Sequence, residues 1–269
     1  MNLQSVTVGQ YFPGNSPLHR LDPRTKIIAV ILLSVAIFLP RAWPGYTLAF
    51  LFCLGAVFLA QVPLNFILRG LRPIAIFLAI TVVFNAFLTP GEPLFHVWRF
   101  AVTREGVILS AVAAVRLILL VVTASLLTLT TSPIRLTDGF ERLLRPLSPL
   151  GVPAHELALM MTIALRFIPT LTEEADRIMR AQAARGADYL TGSLANRIRA
   201  MIPVLVPLFV AAFRRADELA TAMEARGYRG GQGRTKMKEL AYTGRDAVAA
   251  VVLLLMVAAV VFMRVTRVG

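Results

Sequence analysis

The chain has 269 residues, of which 57% are hydrophobic, with a mean hydropathy of +0.70 and a formal net charge of +13. Soluble domains are roughly half apolar, and here the apolar residues gather in long uncharged blocks, which excludes an ordinary soluble enzyme and marks an integral membrane protein. Of the 28 basic residues only Lys26, Lys236 and Lys238 are lysines; with no aromatic-interleaved basic platform among them, nucleic acid is not the expected partner, and anionic lipid accounts for part of the charge.

The first element is announced by Asp22-Pro23, an N-cap followed by proline at the first helical position. Ile27 to Leu39 is then the first of five apolar runs. Lys26 and this run resemble a secretory leader, but no A-x-A cleavage pattern follows, so they read as a retained anchor. Crossing about 30 Å of hydrocarbon takes about 20 residues, and this run is short. Only Arg41 interrupts the stretch from Ile27 to Leu68, so the first two runs fit either two crossings or a tilted, re-entrant hairpin. The second run, Tyr46 to Val62, holds the single cysteine, Cys53, so no intrachain disulfide is possible.

Pro73 to Leu88 and Gly106 to Ser132 are the third and fourth runs. Arg116 lies inside the fourth, where an ionisable side chain is costly; it reads either as snorkelling to the near interface or as functional. Ala247 to Met263 is the fifth. Arg20, Arg24 and Lys26, then Arg69 and Arg72, then a large basic block flank the runs on one side, against Arg41, Arg99, Arg104, Arg264 and Arg267 on the other. The positive-inside rule puts the N-terminus and the basic block in the cytoplasm and, with an odd number of crossings, the C-terminus outside.

That block, from Pro133 to Arg245, carries 17 Lys/Arg and 11 Asp/Glu and is too long for a loop. The expected organisation is N-terminal transmembrane helices over 1–132, a helical cytoplasmic coupling domain over 133–245 and a C-terminal transmembrane helix over 246–269. Within the block, His155 to Arg185 and Ile198 to Arg226 read as two long helices, apolar in their first halves and charged in their second. Such a pattern suits partial insertion at the interface, with kinks at Pro169, Pro203 and Pro207. Ala175 with Ala183, and Ala212, Ala216 and Ala220, stand at spacings that let two backbones cross closely, although alanine is also the best plain helix former.

Both helices end in the same pattern, A-D-x4-A-x2-A-R-G, from Ala175 to Gly186 and again, 41 residues on, from Ala216 to Gly227. Gly186 and Gly227 are natural left-handed terminators. Arg185 and Arg226 then sit at the last turn, where a cation complements the helix dipole and a guanidinium reaches past the tip toward a carboxylate. For one copy, cap and dipole suffice. Two copies at the ends of paired helices make two similar plugs, Ala184-Arg185-Gly186 and Ala225-Arg226-Gly227, and imply docking onto two similar subunits. Lys236 and Lys238, after Gly233, read as solvated or lipid-facing.

No G-x4-G-K-[ST] loop occurs, so hydrolysis would come from partners. His19, His96 and His155 are scattered, with no metal-ligand spacing. Glu173, Glu174 and Asp176 read as a solvated helix face. Two rival readings remain. A conventional ABC permease would carry an E-A-A-x3-G loop, which Ala183-Ala184, Tyr189 and Ile202-Pro203 echo without its glutamate and glycine. A membrane enzyme acting on lipid phosphates would need a nucleophile or metal cluster.

Three pieces give the chain a resemblance to the transmembrane T component of energy-coupling factor (ECF) transporters. They are the leader Ser16 to Lys26, the stretch Ala164-Leu165-Arg166-Phe167-Ile168-Pro169 and the twin Ala-Arg-Gly ends. The resemblance implies an all-α integral membrane protein of a prokaryotic inner membrane, with about five membrane-embedded helices and a coupling domain of two crossed helices. It implies that Arg185 and Arg226 seat in grooves of two ABC ATPase subunits, which hold the ATP and Mg. It also implies a separate membrane S component, which captures a vitamin or metal and topples to release it, so that this chain binds neither cargo nor cofactor.

Overall fold

The computed structural model describes residues 11–40, 43–97, 100–187, 193–230 and 239–266. Arg41, Arg99, Tyr189, Gly233, Lys236, Lys238 and Arg267 lie outside the described residues, as does the side chain of His96. The described residues are almost entirely helical and divide into two compact units. A bundle unit comprises residues 10–139 and 240–269; a paired-helix unit comprises residues 140–239.

In the bundle unit the helices are α1 (Pro23–Phe38), α2 (Trp43–Ala60), α3 (Leu64–Leu88), α4 (Arg104–Thr130) and α8 (Gly244–Val265). Their starts are fixed by local chemistry. Asp22 caps α1, its Oδ1 accepting the Arg24 N–H at 2.8 Å, with Pro23 opening the helix as expected. Thr103 caps α4 through the Gly106 N–H at 3.1 Å, and Thr243 and Asp246 form a reciprocal capping box on α8.

α4 is the axis of this bundle. Lys26 at the start of α1 reaches the carbonyl of Thr130 at the end of α4, whereas Arg116, midway along α4, reaches the carbonyl of Pro40 beyond the end of α1. The two helices are therefore antiparallel. Leu33 and Ile37 of α1, Ala49 and Cys53 of α2, Leu119 of α4, and Leu253, Met256 and Val260 of α8 form the core. α3 lies along α4 through close backbone approaches: a Cβ at Gly70 would meet Ser125 Oγ at 2.8 Å, and one at Gly106 would meet the Asn85 carbonyl at 2.7 Å.

Three features depart from the sequence expectations. First, α3 starts at Leu64 rather than Pro73, which lies inside it. In the charged turn before Pro73 the Arg69 guanidinium lies 5.1 Å from the Phe66 ring centroid. Second, an antiparallel hairpin, β1 (Pro93–Val97) with β2 (Phe100–Thr103), joins α3 to α4, where no strand was expected. Third, five described helices are long and apolar enough to cross a membrane, but they are not the five expected. α1 has only 16 residues, about 24 Å at 1.5 Å per residue, and is not among them, whereas Ala154–Ala184 is.

The junction residues Pro133–Leu144 form α5, an amphipathic helix, followed by a 3-10 segment from Arg145 to Leu150. The paired-helix unit is built on α6 (Ala154–Ala184) and α7 (Leu194–Ala225). Ser193 caps α7 through the Asn196 N–H. Both helices run through their internal prolines, Pro169 in α6 and Pro203 and Pro207 in α7.

Candidate functional site

The two Ala-Arg-Gly ends adopt one geometry. In α6, Arg185 is the C-cap at φ −89° and Gly186 follows at φ +91°; in α7, Arg226 is the C-cap at φ −87° and Gly227 follows at φ +69°. The glycine N–H bonds back to the carbonyl of Ala183 at 3.0 Å in one and of Glu224 at 2.8 Å in the other. The next N–H, of Ala187 or Tyr228, closes on Gln182 or Met223 at 3.0 Å. These two bonds define a Schellman motif, and both depend on a residue that tolerates positive φ. The repeated sequence thus folds twice into the same rigid tip.

Ala184, Arg185 and Gly186 are exposed, as are Ala225, Arg226 and Gly227. Among the described residues no carboxylate lies within ion-pair distance of either guanidinium. Each tip presents a cation that no described carboxylate pairs with, with the carbonyl end of the helix dipole behind it.

The helices that carry the tips run antiparallel. Gln182 Nε2 donates to the Pro203 carbonyl at 3.4 Å, Arg215 lies 3.8 Å from Glu174, and Ile163, Phe167 and Leu171 of α6 line a groove of about 300 Å³ with Ala212, Ala216, Ala220 and Met223 of α7. As residue numbers rise along α6, their neighbours on α7 fall. The two tips therefore lie at opposite ends of the pair, roughly 35–40 Å apart at 1.5 Å per residue.

Of the alanines expected at the helix crossing, Ala212, Ala216 and Ala220 line that groove and Ala175 is half-buried, but Ala183 is exposed and is not among the groove residues. The reason is rotational: Ala183 follows Gln182, whose side chain takes the inward position toward Pro203. The apolar first half of α7 is also largely uncovered, with Ile198, Phe209 and Phe213 each about 60% exposed or more.

The 3-10 segment and α5 support the start of α6, where His155 Nδ1 meets Glu141 Oε1 at 3.0 Å. In the bundle unit, the leader goes beyond helix capping and forms a polar knot. Arg24 pairs with Asp22 at 2.9 Å, donates to the Leu240 carbonyl at 3.1 Å and lies 3.9 Å from the Tyr242 ring centroid. Hydrogen bonding to Asp22 raises its already high pKa. The buried Lys26 ammonium donates to the Thr130 carbonyl and Thr131 Oγ1, both at 2.9 Å. Ser16 and His19 are joined at 2.7 Å, and His19 Nε2 meets the Phe12 carbonyl at 2.9 Å. Arg116 is partly buried, its Nη2 donating to Tyr46 Oη at 2.5 Å while its Nε is buried with no hydrogen-bond partner among the described residues.

Residues 14–237 match the CbiQ family, described as a cobalt transport protein. The chain is 52% identical over 263 residues to the energy-coupling factor transporter transmembrane protein EcfT of Acidaminococcus fermentans, covering 97% of this chain and 98% of that one. It belongs to the EcfT/CbiQ family. Similarity to EcfT of Clostridium kluyveri is 51% over 266 residues, covering 98% of each chain, and to EcfT of Bacillus subtilis 47% over 263 residues, covering 97% and 99%.

An EcfT/CbiQ-family chain is the energy-coupling transmembrane component of an ECF transporter, a membrane subunit rather than a catalyst. That membership matches the resemblance drawn from the twin motif and replaces the readings of a conventional permease and of a lipid-phosphate enzyme.

Proposed function

We propose that this chain couples two ABC ATPase subunits to a membrane S component that binds a vitamin or metal, with Arg185 and Arg226 each seated in one ATPase. One observation carries the reading: two Schellman ends with the same hydrogen-bond pattern, each exposing a guanidinium that no described carboxylate pairs with, stand at opposite ends of one antiparallel helix pair. A bidentate guanidinium–carboxylate pair needs a cation held in a fixed direction, and a Schellman end supplies that by ordering the backbone behind it. Two such ends suit two similar subunits placed side by side. ATP and Mg are held by those subunits, and this chain contributes position, not chemistry.

The uncovered apolar half of α7 supports contact with the bilayer and with the S component, because a continuous apolar helix face of this size is unfavourable in water. The cations around the leader, with those of the paired-helix unit, support a cytoplasmic placement for both and an external C-terminus.

Cross-linking tests the docking. Cys53 is the single cysteine and is buried, so a cysteine introduced at exposed Ala184 or Ala225 takes a photoactivatable cross-linker selectively. Each position should tag an ATP-binding subunit in the assembled transporter. Cross-links confined to this chain or to lipid would overturn the reading.

A further inference from the structure

A groove of about 1070 Å³ runs along the side of the bundle unit, between faces of α1, α2 and α8, with Thr123 and Leu126 of α4 among its lining. Its walls are aliphatic and aromatic for most of their length. One end is different: Lys26, Thr243, Arg245 and Asp246 gather there.

The charges at this end do not cancel. The Asp246 carboxylate accepts the Asp22 N–H at 2.7 Å and both the N–H and hydroxyl of Thr243. Lys26 is engaged by Thr130 and Thr131. Arg245 is exposed and, among the described residues, has no carboxylate within ion-pair distance. Two cations against one carboxylate leave a positive mouth on an apolar slot.

Gly55 supplies an independent observation. It lies in the middle of α2 and lines the groove, where a Cβ would meet nothing within 4 Å. Glycine inside a helix weakens it relative to alanine. At Gly70 and Gly106 that cost is explained by a neighbour that a Cβ would strike. At Gly55 no atom of the described residues claims the space, and what the missing side chain preserves is the width of the groove.

We propose that this groove binds an anionic phospholipid, with its phosphate at Arg245 and an acyl chain lying along the apolar walls past Gly55. A free phosphate would satisfy the mouth but not the apolar length, and a neutral lipid would fill the length without answering the charge. Basic pockets between membrane helices select acidic headgroups in this way.

Native mass spectrometry of the full chain, purified in neutral detergent and offered equal amounts of phosphatidylglycerol and phosphatidylcholine with identical acyl chains, tests the site. The expected spectrum shows one bound lipid, with a preference of roughly fivefold for phosphatidylglycerol from a single surface cation. Arg245→Ala, at an exposed position, should bring that preference near parity. Gly55→Trp should remove the adduct of both lipids with helical circular dichroism unchanged; should it fail to fold, Gly55→Leu takes its place. Equal binding of the two lipids by the unaltered chain, an adduct untouched by either substitution, or no adduct because a protein partner occupies the groove would each overturn the proposal.

Discussion

The backbone N–H of Asp22 donates to Asp246 Oδ1 at 2.7 Å, across 224 residues of sequence. Each of these carboxylates caps its own helix, Asp22 on α1 and Asp246 on α8, so one contact locks the starts of two helices together. Asp246→Ala removes an acceptor for three donors at a buried site and should cost about 1–3 kcal/mol. Asp246→Asn, which keeps one oxygen, should lose less. Thermal unfolding in detergent orders the three proteins, and an alanine variant as stable as the parent would show that the lock is not used.

Lys26 makes the corresponding tie between α1 and α4. Lys26→Met retains most of the stem but leaves the Thr130 carbonyl without its ammonium donor, so a loss of about 1–3 kcal/mol is expected. Hydrogen exchange at the last turn of α4 should accelerate in this variant. Unchanged exchange would place the stability of that turn elsewhere.

Arg116 resolves into a contact rather than a free intramembrane charge. Its Nη2 meets Tyr46 Oη, and Tyr46 in turn donates to the Pro40 carbonyl at 2.8 Å. A double-mutant cycle with Arg116→Ala and Tyr46→Phe should give a coupling of about 0.5–3 kcal/mol, as for side chains sharing one network. Additive effects would mean that the two act independently.

Gly186→Ala and Gly227→Ala place a Cβ on a left-handed residue, which costs about 1–2 kcal/mol each. The cost should remain local. Amide exchange should rise at Ala187 and Tyr228, whose N–H groups close the two motifs, while the unfolding midpoint of the bundle stays unchanged. Rapid exchange at these amides already in the parent protein would mean that the tips are not preformed.

Legibility in the sequence followed the range of the interaction. Asp22-Pro23 and the two Ala-Arg-Gly ends are local signals, each readable within a few residues, and they stand in the structure with the geometry their chemistry requires. The antiparallel run of α6 and α7 was not visible because opposite tips follow from pairings such as Glu174 with Arg215, 41 positions apart. The role of Lys26 depends on Thr130, over 100 residues away, so the sequence offered only a basic residue before an apolar run. α1 and α6 exchanged places among helices long enough to cross because uninterrupted hydropathy favours a short apolar run over a long helix whose charges lie in one half. The β1–β2 hairpin is set by the closure of α3 onto α4, and nothing in Pro93 to Thr103 alone announces it.

The most direct measurement for the docking account is the composition of the detergent-purified assembly with Arg185→Glu and Arg226→Glu combined. Each reversal replaces a charge-assisted pair with repulsion. The parent is predicted to retain two ATP-binding subunits per chain and the double variant none, with its membrane partner still bound. ATPase subunits that co-purify undiminished with the double variant would contradict the account.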